Sequence, residues 1–224
     1  MTTLCAVHPS VVALGPCDRC GTFGCEVCLT LAGEQRLCSP CIARTGAGLP
    51  SLEGRALWAK LGLYATGGTH VLGAVIELGV STKDGAGALL LGLWALASFP
   101  VMITTIVLFC RWFHLSARYA INRGVTLPST PAGAVGSWFI PFVNLVRPFD
   151  LTRQMLSGFG GNAGVVGRWQ ALYIVGNITS NISSRFDNAA FSLIAGLLLL
   201  GAALAAVSVI NETTRAAKTV GSAS

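Results

Sequence analysis

The chain begins with a short polar region and continues into long apolar stretches. A helix needs about 20 apolar residues to cross a bilayer. Four stretches approach that length, at residues 57–80, 86–110, 166–184 and 189–210. The second and fourth carry no charge, the first contains Lys60, His70 and Glu77, and the third is the most polar. The pattern predicts an all-α membrane protein with four transmembrane helices.

The cations support one orientation of these helices. Lysine and arginine total 15, and only Lys83 and Arg185 fall in the two short turns that join span one to two and span three to four. All the other cations lie on the opposite side of this layout. Since cytoplasmic loops are enriched in lysine and arginine, both termini are expected in the cytoplasm.

Residues 112–165 form a long segment on the cytoplasmic side. Its start is expected to continue the second helix. Residues 134–149 are apolar, but they are too short to span and contain two prolines, so they are expected either to lie in the interface or to re-enter the membrane. Asp150 is expected to cap a short helix over 150–156.

Composition agrees with a membrane protein carrying a small head. Apolar residues make up 53% of the chain and charged residues 11%, and the mean hydropathy is +0.67. Low charge and high apolarity exclude a disordered chain. Seven of the eight cysteines precede residue 42, which disfavours a secreted disulfide scaffold. We expect a zinc-binding domain at 1–46, a linker at 47–56, a membrane domain at 57–210 and a cytoplasmic tail at 211–224.

The cysteines and one histidine of the head form four pairs, each with two intervening residues. The pairs are Cys5 with His8, Cys17 with Cys20, Cys25 with Cys28, and Cys38 with Cys41. Thiolate and imidazole in sets of four suit tetrahedral zinc, so eight ligands predict two structural zinc ions per chain. Disulfides, redox-sensing thiols and an iron–sulfur cluster fit this pattern less well, and a reducing cytoplasm favours metal.

The spacing leaves open which pairs share an ion, although the short gap between Cys20 and Cys25 favours interleaving. The first pair would then join the third, and the second would join the fourth. That order and the Cys-x2-His opening resemble the B-box zinc finger of animal ubiquitin-ligase and scaffold proteins. The resemblance implies a protein-interaction module without ligase activity. The final Cys-x2-Cys pair departs from the family, which often uses histidine there.

The membrane region resembles a bacterial four-helix domain of unknown function, the 4328 family. The matching residues are Trp112, Arg118, Asn122, Trp138 to Pro141, Asn144, Pro148, Trp169, Asn177 and Asn181. The resemblance covers most of residues 57–210. It implies the fold and a bacterial inner membrane location, and it implies no activity.

Polar residues in the membrane region mark a candidate site, because such residues face the bundle interior or a water path. They are Arg118, Asn122, Asn144, Asn177, Asn181, His70 and Glu77. Structural roles compete with this interpretation. Arg118 and Asn122 are expected to brace residues 134–149, and the asparagines of the third span are expected to make interhelical hydrogen bonds.

The function that these features favour is a non-catalytic, membrane-anchored adaptor whose zinc domain recruits a cytoplasmic protein. The alternatives are a small gated or metal-sensing transporter or channel and a membrane tether for a transcription regulator. Nucleic acid is not an expected ligand, because residues 1–46 carry three arginines against three carboxylates. The partners expected are the lipid bilayer and that protein. Small-x3-small pairs, Gly201 with Ala205 and Ala202 with Ala206, are expected to seat another helix, either of the same chain or of a second copy.

Overall fold

A computed structural model describes residues 3–32, 35–41, 49–80, 85–123, 125–186 and 189–222. The chain divides into two compact units, one of residues 1–50 with 119–126 and the other of residues 51–118 with 127–224. The division near residue 50 agrees with a small head followed by a helical domain. Residues 42–48 of the predicted head and linker, and Lys83 of the first predicted outer turn, lie outside the described residues.

The head contains two small antiparallel sheets. Strands β1 (Gly15–Pro16) and β2 (Phe23–Gly24) form one, and β3 (Leu29–Ala32) and β4 (Gln35–Cys38) form the other. Its buried cluster consists of Leu29 and Leu37 with two of the cysteines. A core this small cannot stabilise a domain without additional cross-links.

The second part of the chain is helical. Its helices are α1 (Leu52–Gly79), α2 (Gly85–Asn122), α3 (Pro131–Gly136), α4 (Arg147–Gly158), α5 (Gly164–Phe186) and α6 (Ala189–Ser222), with a 3-10 turn at Val143–Leu145. Each predicted span falls on one of the four long helices. Within the described residues, α2 and α6 are long and apolar enough to cross a membrane. Crossing by α1 and α5 stays a prediction, because polar side chains lower their hydropathy.

Three boundaries differ from the sequence prediction. Helix α1 begins at Leu52, so the predicted linker ends before residue 56. Asp150 does not cap a helix, because α4 begins earlier, at Arg147, and the Asp150 carboxylate pairs with Arg153 at 2.6 Å. Residues 211–222 continue α6 and do not form a separate tail, since no proline or glycine interrupts them before Gly221.

Glycine and alanine set the close approach of the long helices. Both α1 and α5 pack along α6. A Cβ at Gly67 of α1 would lie 3.3 Å from the Cβ of Ala203, and one at Gly196 of α6 would lie 3.1 Å from the carbonyl oxygen of His70. Ala205 and Ala206 are buried within the chain. The small-residue stripe of α6 therefore seats helices of its own chain.

The segment between α3 and α4 contains a tight turn at Phe142. Its backbone has φ 62° and ψ −38°, and the Val143 amide donates to the Pro141 carbonyl at 2.7 Å. This three-residue arrangement is a γ-turn of the strained, positive-φ kind. The Phe142 side chain is 84% exposed, so packing within the chain does not compensate for the strain.

Replacing Phe142 by glycine should therefore stabilise the fold relative to replacement by alanine. Both changes remove the same exposed ring, but only glycine adopts a positive φ without a steric penalty. We expect Phe142→Gly to exceed Phe142→Ala in free energy of unfolding by about 1 kcal/mol. Thermal unfolding in detergent compares the two proteins. Equal stability would show that the turn relaxes at no cost when alanine occupies it.

Candidate metal centres and membrane cavity

The ligand atoms of the eight head residues form two clusters. Cys5, His8, Cys25 and Cys28 form the first cluster, and Cys17, Cys20, Cys38 and Cys41 form the second. Within each cluster the ligand atoms all lie within 4.8 Å of one another, so each can hold a metal ion. This is the interleaved grouping that the sequence favoured.

Distances in the first cluster fit tetrahedral zinc. With bonds of about 2.3 Å to sulfur and about 2.0 Å to nitrogen, a tetrahedral ion separates two sulfurs by about 3.8 Å and a sulfur from a nitrogen by about 3.6 Å. The Sγ atoms of Cys5 and Cys28 are 3.8 Å apart. The Nδ1 atom of His8 lies 3.5 Å from the Cys25 Sγ, 3.3 Å from that of Cys28 and 3.9 Å from that of Cys5. His8 therefore presents Nδ1 as its ligand atom.

The second cluster has the same spacing with sulfur alone. The Sγ atoms of Cys20 and Cys38 are 3.6 Å apart, far beyond the disulfide length of about 2.05 Å. The Cys38 amide donates to the Cys17 Sγ at 3.3 Å. All eight cysteines of the chain are free thiols. The geometry favours metal over the disulfide alternative.

Local backbone turns explain why the Cys-x2 spacing produces these clusters. The His8 amide donates to the Cys5 Sγ at 3.4 Å, three residues back along the chain. In the second pair the Gly21 amide donates to the Cys17 carbonyl at 2.9 Å, and Gly21 has a φ of +73° that glycine adopts freely. Each turn brings the two ligand atoms of a pair to one side of the backbone.

Two cysteines in each cluster have a lowered pKa, and the large shifts are those of Cys5 and Cys17. Burial opposes ionisation of Cys5 and Cys17. Amide hydrogen bonds outweigh it, from Cys25 and His8 to Cys5 and from Cys38 and Cys20 to Cys17, and lower both pKa values to about 6. Amides that donate to a thiolate also stabilise that thiolate as a metal ligand.

Other thiols hold their protons more strongly. Burial, reinforced by hydrogen bonds with the neighbouring cysteines of the cluster, raises the pKa of Cys28 to about 11 and that of Cys41 to about 12. Burial also raises the pKa of Cys38. The second cluster therefore contains two thiols with a raised pKa, and the first contains one.

Metal binding should therefore release more protons at the second cluster. The metal needs thiolates, and thiols with a pKa above 9 are protonated at pH 7.5, so affinity must rise with pH. Each released proton changes the apparent affinity about tenfold per pH unit. We expect more protons from the second cluster, isolated by Cys25→Ser, than from the first, isolated by Cys17→Ser. Zinc titration calorimetry in two buffers counts them, and equal release would contradict the assignment.

The membrane candidates do not form a single site. His70 and Glu77 line one cavity of about 440 Å³, and none of the other five candidates is among its lining residues. Arg118 is exposed. The side-chain amides of Asn177 and Asn181 donate to the carbonyls of Tyr173 and Asn177 on their own helix, at 2.7 and 2.8 Å. Both of these hydrogen bonds lie within α5.

Gln170, rather than Arg118, holds the segment before α4. Among the described residues, the Arg118 side chain makes no hydrogen bond to this segment, and Asn122 belongs to the other compact unit. The Gln170 amide donates to the Leu145 carbonyl at 2.8 Å and its oxygen accepts from Arg153 at 2.6 Å. Gln170 lies seven residues before Asn177, on the same face of α5, but only the tertiary fold shows which carbonyl lies opposite it.

A cluster of aromatic rings forms the interior beside this anchor. Trp138 lies edge-on to Phe109 and tilted against Trp169, with ring centroids 5.3 and 5.5 Å apart, and Phe149 lies 4.8 Å from Trp169. Sequence reasoning treated these tryptophans as family markers and missed their grouping. The four rings come from α2, the segment after α3, α4 and α5, so the sequence gave no local signal of their contact.

Comparison with known proteins gives one match. A family model described as a domain of unknown function, DUF4328, matches residues 81–215, more than half of the chain. The match begins after α1, so it covers less of the membrane region than the resemblance in the sequence suggested. No curated protein and no solved structure matches the chain.

Proposed function

The chain belongs to the DUF4328 family, and we propose that it is a membrane-anchored adaptor whose zinc-stabilised head recruits a cytoplasmic protein. The observation that carries this proposal is the pair of four-ligand clusters in a head with almost no core. Four protein donors fill the coordination of each ion and leave no position for water or substrate. Zinc then acts as a structural cross-link, and the head provides a binding surface and no catalytic site.

The head surface suits a protein partner. Val7, Val12 and Val27 are well exposed, and Val27 reaches 82%. A groove of about 480 Å³ beside the first cluster is lined by His8, residues 11–14 and residues 25–27. Exposed apolar surface of this kind is characteristic of protein interaction sites. The resemblance to B-box fingers, which serve as interaction modules, points the same way.

Charge on the head supports protein over nucleic acid as the partner. Among its described residues, Asp18 and Glu26 balance Arg19 and Arg36. Seven thiolates holding two divalent ions would make the head more negative. Nucleic acid binding requires clustered cations, so it is the weaker proposal.

The helical domain would supply the anchor. Four leucines in the first part of α2, Leu89, Leu90, Leu93 and Leu96, are exposed, an arrangement that is costly in water and favourable in lipid. We propose that all four long helices span a bacterial inner membrane with both termini in the cytoplasm. Protease digestion of inside-out vesicles should remove tags from both ends, and protection of either tag would contradict this orientation.

Recruitment can be tested by affinity capture from gently solubilised membranes. Val27→Asp places a charge in the groove without removing a ligand, so it should retain two zinc ions and lose the captured protein. Cys25→Ser should lose the same protein together with one zinc ion.

Leu31→Asp is the matched control, because Leu31 is a similarly exposed apolar residue of the head that does not line the groove. It should retain both zinc and partner. If wild type, Val27→Asp and Cys25→Ser all capture the same proteins, or none, the head does not recruit through this surface.

A further inference from the structure

Two cavities between the long helices meet at His70. The first, of about 440 Å³, is the more polar of the two and receives side chains from α1, α2, α5 and α6. The second, of about 360 Å³, is mainly apolar. Thr66, His70 and Leu199 line both cavities, so the two spaces adjoin along the same turn of α1.

The polar cavity follows one face of α1. His70 and Glu77 are seven residues apart, which places them on the same face and about 10 Å apart along the axis. Between them lies Gly73, where a Cβ would come within 2.7 Å of the Trp94 Nε1. Because Gly73 has no side chain, the Trp94 indole can lie between the His70 imidazole and the Glu77 carboxylate.

Hydroxyl groups in this cavity offer acceptors. Thr69 donates its proton to the Thr66 carbonyl, and Ser98 donates to the Trp94 carbonyl, both at 2.8 Å. Thr66 donates to the Thr105 hydroxyl at 2.8 Å. With their protons used inside the protein, these oxygens present lone pairs to anything in the cavity.

Glu77 is the one acidic residue among the described residues that line the two cavities. No lysine or arginine of the described part of the chain lines either cavity. Neither Glu77 nor His70 has a hydrogen-bond or ion-pair partner within the described part of the chain. An unpaired carboxylate among acceptor oxygens and an indole ring favours a cation.

The second cavity adds aromatic walls. Phe109, Trp138, Trp169 and Tyr173 line it, and the neighbouring rings stand at about right angles or tilted to one another. Such walls accept the apolar part of a ligand and also attract positive charge to the ring faces.

We propose that the two cavities form one binding site for an organic monocation with an apolar body. The cationic group would lie by Trp94 between His70 and Glu77, and the apolar body would enter the aromatic cavity past His70. This site is independent of partner recruitment by the head, so either proposal can fail without the other.

The test uses the full-length protein in detergent and follows tryptophan fluorescence or calorimetry. Benzyltrimethylammonium is the probe, benzylsulfonate is its anionic counterpart and tetramethylammonium lacks the apolar body. We expect saturable binding of benzyltrimethylammonium, at least tenfold tighter than that of tetramethylammonium, and no competition from benzylsulfonate. Absence of saturable binding, equal affinity for tetramethylammonium, or equal binding of the sulfonate would each overturn the proposal.

Variants locate the site. Glu77→Gln should weaken benzyltrimethylammonium binding at least tenfold. Glu53→Gln is the matched control, because it removes the same charge from the same helix and Glu53 lines neither cavity. Its affinity should stay within twofold of wild type. Equal affinities of the two variants would place the cation elsewhere, and if Glu77→Gln fails to fold, the three probes on wild type still decide.

Discussion

Cys17→Ser should reduce the zinc content of the purified protein from two ions per chain to one and unfold the half of the head that surrounds the second cluster. Cys17 is 2% exposed and is both a ligand and part of the buried cluster with Leu29 and Leu37. Serine binds zinc poorly at neutral pH, so three cysteines would remain at a site built for four.

The free energies of leucine burial and zinc binding explain why loss of the ion should unfold this part of the head. Burying each of the two leucines contributes about 2 kcal/mol, whereas a structural zinc ion contributes about 10–16 kcal/mol in a small finger. The described head contains no other buried apolar side chain apart from cysteine. Metal binding is therefore the dominant favourable term in the folding of residues 3–41.

Metal analysis by mass spectrometry and amide hydrogen exchange measure the two parts of this result. The part of the head that surrounds the second cluster should lose exchange protection, and the four long helices should retain theirs. Cys110→Ser is the control, because Cys110 belongs to neither cluster, and it should keep two ions. Two zinc ions in Cys17→Ser, or unchanged protection in the head, would contradict the assignment of ligands.

The grouping of the eight head residues into two clusters was predictable because the spacing of each pair is local in sequence. A Cys-x2-Cys turn brings two sulfurs together whatever the rest of the fold does. The short gap between Cys20 and Cys25 also made interleaving the favoured pairing. The donor atom of His8 and the unequal pKa values of the thiols were not predictable, since they depend on amides from distant residues such as Cys25 and Cys38.

The long helices were also predictable, since apolar runs of this length rarely form any structure other than a helix. Their ends were less so. Nothing in the sequence after residue 210 stops a helix, and α6 continues to Ser222 for that reason. Asp150 matched a cap by residue type, but Pro148 starts α4 earlier, and proline is favoured in the first turn of a helix.

The cavities and the γ-turn were beyond sequence reasoning. His70 and Glu77 could be placed on one helix face, yet the space in front of them depends on Trp94, Ser183 and Ser192 from three other helices. The positive φ at residue 142 was not predictable, because glycine is the residue expected at such a φ and the sequence has phenylalanine there. Such features follow from packing between elements that lie far apart in the sequence.

Gly67→Leu should destabilise the helical domain much more than Gly68→Leu, although the two glycines are neighbours. A Cβ at Gly67 would come within 2.9 Å of the Leu200 Cδ1 and 3.3 Å of the Ala203 Cβ. A Cβ at Gly68 would meet nothing within 4 Å. Adjacent positions on α1 thus face a packed helix in one case and open space in the other.

The expected sizes follow from the two environments. A leucine at Gly67 must separate α1 from α6, and overpacking of this kind costs about 1–3 kcal/mol. A leucine at Gly68 removes the conformational freedom of glycine without a clash, which should stabilise the helix by up to about 1 kcal/mol. If α1 spans the membrane, leucine at that exposed position also gains contact with lipid.

Unfolding in detergent, followed by circular dichroism, measures both variants against wild type. Gly67→Leu should also weaken benzyltrimethylammonium binding, because Gly67 lines the aromatic cavity beside His70, whereas Gly68→Leu should leave it unchanged. Equal stability of the two variants would mean that α1 and α6 do not pack at Gly67. The packing of α1 on α6 and the shape of the cavity at His70 would then both need to be reassigned.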